Sequence, residues 1–188
     1  MKLLRWGYPS VVGVLLGLLQ TGLFFQLSFT LSSSIRTFLM ITVCWLLGSV
    51  IGLRLPRQAA WQMNAFVVLA LLSYFACVAL LAVAPFDTEL WPVYALFIVI
   101  MGLYPGVFFA RMSHYYTART LFFWENNGFI MGLISGTLLF LVLGRSVLWT
   151  LPILMAGGVI LSTTAFFRNT RIARSVDRLH IQSTEMSL

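Results

Sequence analysis

Charge is what this sequence has least of. Only 9% of its 188 residues are Asp, Glu, Lys or Arg, against about 25% in an ordinary soluble domain. A water-soluble enzyme of this size would lack the polar surface to cover itself. A disordered chain is excluded by the opposite excess, because 60% of the residues are hydrophobic and the mean hydropathy is +0.95. Cysteine is nearly missing too. Cys44 and Cys77 both lie inside apolar runs, which excludes a disulfide-stapled module and makes them small buried residues. Histidine is confined to His114 and His180, both outside the long apolar runs, so bis-histidine haem between helices has no ligands here. Phosphate-binding glycine loops ending in Lys-Ser/Thr, CxxC, CxxCH, HExxH and a Ser-His-Asp set are all missing. These gaps leave no metal ligands, no cofactor and no catalytic constellation, and the chain reads as a non-enzyme.

What remains is a polytopic membrane protein. A spanning helix needs about 20 mostly apolar residues to cross a hydrocarbon core about 30 Å thick. Segments at about 8–31, 37–53, 62–84, 90–110, 121–143 and 147–167 meet that requirement. The expected fold is therefore all-α, a compact bundle of six transmembrane helices over 1–167 with a basic tail over 168–188. The N-terminus superficially resembles a signal peptide, but the apolar run continues without a cleavage pattern and reads as an uncleaved first span.

The basic residues set the orientation. With a cytoplasmic N-terminus, Lys2, Arg5, Arg54, Arg57, Arg111, Arg119, Arg168, Arg171, Arg174 and Arg178 fall inside. Only Arg36 and Arg145 fall outside, beside the acidic Asp87 and Glu89. Ten against two predicts both termini in the cytoplasm. The net charge of +7 then reflects topology rather than nucleic-acid binding. Arg168, Arg171, Arg174 and Arg178 recur at helical spacing with Ile172, Val176 and Leu179 on another face. That pattern reads either as an interfacial helix on an anionic bilayer or as a frayed tail that only fixes topology. From Gln182 onward the sequence reads as disordered.

Three local features stand out. Gly13/Gly17, Gly48/Gly52, Gly102/Gly106 and Gly128/Gly132/Gly136 repeat at every fourth position. Such spacing lets helix backbones approach closely, either within one bundle or against a partner subunit or second copy. Glu125, with Trp124 before it and Asn126-Asn127-Gly128 after it, is a carboxylate at the edge of a predicted span. A charge at the membrane centre costs at least about 2.5 kcal/mol. Glu125 is therefore either a polar clamp, paired with Arg119 or Arg111, or a contact for a ligand, proton or quinone. Tyr104-Pro105 is the third feature. Pro105 removes a helix hydrogen bond and predicts a kink that either lines a site or is ordinary packing. Glu125, Asn126, Asn127, Arg119 and Tyr104 make up the candidate intramembrane polar site. Trp61, Trp91, Trp149, Tyr115 and Tyr116 read as interface anchors.

The runs Val12-Gly13-Val14-Leu15-Leu16-Gly17, Leu46-Leu47-Gly48-Ser49-Val50-Ile51-Gly52, Gly102 to Arg111, and 121–132 from Leu121 through Glu125 to Gly132, with Gly144 closing the span, form a recognisable set. The set resembles the membrane domain attached to some bacterial spermidine synthase-like proteins. Glu125 stands where that family often has an aspartate, three residues before the first glycine. The resemblance implies the membrane fold alone, since none of these residues matches the family's catalytic aminopropyltransferase domain.

Three functions fit these observations. A non-catalytic subunit or anchor would dock a partner protein at the membrane. A small transporter, of organic cations for instance, would use Glu125. A redox-complex subunit would shape a quinone site without holding haem. The first is favoured by the missing chemistry, the short loops and the glycine stripes.

Overall fold

The computed structural model describes the backbone of residues 2–55 and 59–185 and the side chains of residues 7–55 and 59–170. Arg57 lies outside the described residues, as do the side chains of Lys2, Arg5, Arg171, Arg174 and Arg178. Among the described residues the structure is all-helical, without strands. The helices are α1 (Lys2–Thr30), α2 (Ile35–Arg54), α3 (Ala60–Val83), α4 (Trp91–Met112), α5 (Ala118–Leu143) and α6 (Val147–Glu185), with single 3-10 turns before α4 and α6. Five stretches are long and apolar enough to cross a membrane, and the fifth is the whole of Ala118–Thr170, which includes α5, the turn and most of α6. Long apolar sequence must adopt such helices in lipid, because only they satisfy every backbone N–H and C=O internally.

Local signals set the helix ends. The Thr117 side chain accepts from Thr120 N–H at the start of α5. Gln62 Oε1 accepts from Ala59 N–H at 2.6 Å and closes the first turn of α3. Gly144, at φ 75°, ends α5 in a left-handed conformation that side chains rarely adopt, while its N–H still bonds Phe140 O. α4 runs through Pro105 without interruption. α6 remains helical past Gln182, where the sequence reads as disordered, and ends at Glu185.

The bundle is organised by two parallel pairs of helices whose backbones touch. In the first, Gly13 and Gly17 of α1 meet α5 at Glu125, Phe129, Gly132 and Leu133, while Gly128 and Gly132 meet Ser10 and Val14. A Cβ added at Gly13 would lie 2.7 Å from Phe129 N, and one at Gly128 would lie 2.8 Å from Ser10 Cα. In the second, Gly48 and Gly52 of α2 face Gly102 and Gly106 of α4, and a Cβ at Gly106 would come within 2.8 Å of Gly52 Cα. Small residues at these positions allow a close approach that compensates for the missing hydrophobic drive in lipid. α3 and α6 pack around the pairs. α6 runs antiparallel to α1 and α3, as shown by Tyr8 Oη against Thr163 Oγ1 at 3.0 Å, Asn64 Nδ2 to Thr164 Oγ1 at 3.3 Å and Tyr74 Oη to Leu148 O at 2.8 Å.

Candidate functional site

α5 buries a single stripe made of Leu121, Glu125, Gly128, Gly132 and Gly136, spaced by three or four residues. Glu125 lies on the same stripe as the glycines, so the face that brings α5 onto α1 also buries the carboxyl, which is 8% exposed. Ser10 Oγ donates to Trp124 O at 3.0 Å and holds this end of the seam. The stripe of Gly128 and Gly132 is filled by the α1 backbone, and Gly136 by the Leu18 and Thr21 side chains. No room is left along it for a second protein.

The other residues of the expected polar site do not gather around Glu125. Arg119 is exposed, and no ion pair or hydrogen bond reaches Glu125 among the described residues. Arg111 does not reach it either. Its guanidinium lies 5.6 Å from the Tyr115 ring centre and 5.1 Å from that of Phe167, and its buried Nε has no hydrogen-bond partner among the described residues. The expected clamp between Glu125 and Arg119 or Arg111 is thus not formed. Asn126 and Asn127 are exposed, with Asn127 Nδ2 bonded back to Phe123 O at 2.6 Å. A helix advances about 100° per residue, so two neighbours of a buried residue cannot share its face. Tyr104 is fully buried on α4, and its hydroxyl has no hydrogen-bond partner among the described residues.

Tyr104 belongs instead to an aromatic core at the end of the bundle that holds the start of α1. Tyr104 lies 6.5 Å from Phe108, which meets Tyr8 edge-on at 5.8 Å. Tyr8 stacks on Phe166 at 5.3 Å, and Tyr116 stacks on the same ring at 6.1 Å. Tyr116 is therefore a core residue rather than an interface anchor. Trp61, 71% exposed, and Trp149 remain on the surface. Arg168 lines an open cleft of about 520 Å³ with Trp61, Asn64, Thr164 and Phe167.

Two polar sites on α1 are not signalled by charge or by metal-ligand spacing. At the far end of the bundle, Gln26 Oε1 accepts from Arg145 Nε at 3.1 Å and Nη2 at 2.7 Å. Midway along the span, Gln20 lines a groove between α1, α2 and α5. The signal in both cases is a subtler one: a glutamine within an apolar helix is itself unusual. No group of three or more His, Cys, Asp or Glu suited to a metal occurs among the described residues. No protein family, curated protein or solved structure matches the chain.

Proposed function

We propose that this protein is a non-catalytic integral membrane subunit that docks a partner protein within the bilayer. One observation carries the reading. The seam glycines of α1, α2, α4 and α5 are filled by neighbouring helices, whereas Gly157 and Gly158 on α6 have nothing within 4 Å among the described residues. Gly157 is exposed, between the exposed Ile153, Leu154 and Leu161. Such a patch lets another helix approach α6 at backbone distance. The test is purification in mild detergent through a tag, with identification of what co-elutes. A stoichiometric partner that is lost in Gly157→Leu and kept in Ile153→Val supports docking on α6. Retention of the partner in Gly157→Leu, or a chain that purifies alone, defeats it.

The reading includes six crossings with both termini in the cytoplasm of a bacterial inner membrane. The parallel run of α5 along α1 and the antiparallel return of α6 support a reversal at Gly144. This arrangement gathers Arg54, Arg111, Arg119 and Arg168 at one end and leaves Arg36 and Arg145 with Asp87 and Glu89 at the other, as the positive-inside rule requires. The resemblance to the spermidine synthase-like membrane domain is part of the same proposal and concerns fold alone. A transport role would rest on the buried Glu125, and loss of uptake in Glu125→Gln would favour it.

A further inference from the structure

The α1–α5 and α2–α4 pairs do not close against each other along their whole length. Between them lies a groove of about 370 Å³ at the level of Gln20, near the middle of the Gly7–Thr30 span. Phe25, Phe38 and Phe129 supply its aromatic walls, and the exposed edges of Phe24 and Phe38 mark an opening toward the bilayer. Thr21 and Thr42 also line it, but their hydroxyls are spent on Gly17 O at 2.8 Å and Phe38 O at 3.0 Å. Gln20 and Thr137 are different. Neither the Gln20 amide nor the Thr137 hydroxyl has a hydrogen bond among the described residues. Two amide N–H groups and one O–H donor therefore face a groove opening on hydrocarbon, where an unsatisfied polar group costs several kcal/mol.

We infer that this groove is a lateral binding site for a neutral, ring-bearing carbonyl compound of the quinone class dissolved in the bilayer. Each part of the lining narrows the choice. No charged side chain lines the groove among the described residues, which disfavours a charged headgroup. The free donors call for acceptors at mid-membrane depth, and acyl chains have none. The phenylalanine walls suit a flat ring. The volume falls within the range of about 300–1,000 Å³ for small-molecule sites. Gln20 Nε2 and the Thr137 hydroxyl are the donors that would meet the carbonyl oxygens of the ring. Binding alone is inferred, with no electron transfer.

The test uses the purified full chain in lipid nanodiscs, with a decyl-benzoquinone as the probe and its azido derivative for photolabelling. The expected result is saturable binding and labelling of the segments around Gln20 and Thr137. Gln20→Leu should weaken binding about tenfold and Thr137→Val about threefold, as expected for the loss of single hydrogen bonds. Both variants should keep the helical circular dichroism and elution volume of the parent. Absence of saturable binding overturns the inference. So does an affinity unchanged in both variants, or labelling confined to the segment around Glu125. Docking on α6 is tested on another face by another measurement, so either proposal can fail alone.

Discussion

The guanidinium of Arg145 donates through two nitrogens to one oxygen of Gln26, a side chain 119 positions away in sequence and only 2% exposed. A neutral amide thus holds the cation of the turn between α5 and α6 against the far end of α1. Hydrogen bonds to charged groups contribute about 1.5–3 kcal/mol each. Gln26→Leu removes the shared acceptor and should lower stability by about that amount. Thermal unfolding in detergent, followed by circular dichroism, would measure it. An unchanged melting temperature would mean that the turn is held by something else.

The glycine seams make opposite predictions for similar substitutions. Gly132→Leu on α5 and Gly106→Leu on α4 each drive a side chain into a neighbouring backbone that cannot yield. The cost should reach at least about 3 kcal/mol, the top of the usual overpacking range. Gly157→Leu meets nothing and should change stability by less than about 0.5 kcal/mol. Expression and monodispersity of the three variants by fluorescence-detected chromatography would separate them.

Glu125 has no partner among the described residues, so its removal should be mild. A buried polar group without a bond contributes a desolvation cost rather than a stabilising contact. Glu125→Gln and Glu125→Met should melt at or above the parent temperature. The double variant with Arg119→Ala should show coupling below about 0.5 kcal/mol, as for independent sites. Coupling well above that would reveal an ion pair between the two.

Tyr8 and Thr163 join α1 to α6 through their hydroxyls inside the aromatic core. Tyr8→Phe keeps the stacking on Phe166 and deletes the bond. The expected loss is about 0.5–1.5 kcal/mol, measured by thermal unfolding. Tyr8→Ala also deletes the ring and should cost about 3–5 kcal/mol.

Much of this arrangement can be read from glycine spacing. Repeats at 13/17, 48/52, 102/106 and 128/132 mark the faces where backbones meet, though not which helix meets which. Pairing is set by register between distant segments, and a single sequence carries no record of that register. The polar site is less legible because charge and proximity in sequence are poor guides to it. Arg119 is six residues before Glu125, about 120° away around the helix, outside the three- or four-residue spacing that lets side chains meet. Asn126 and Asn127 fail for the same reason. Gln20 and Gln26 escape notice because they are uncharged, although an amide in lipid faces the same need for a partner.

The α1–α5 seam also has a consequence for biogenesis. Ser10 and Trp124 meet across it although they are 114 residues apart. During synthesis, α1 leaves the ribosome long before the helix that covers Gly13 and Gly17 exists. α2 and α4 can zip together first, so α1 waits at the insertion machinery or in lipid with its small-residue face open. A nascent chain arrested after Met112 would insert its early helices yet remain exposed to membrane proteases, and synthesis of α5 would bring resistance.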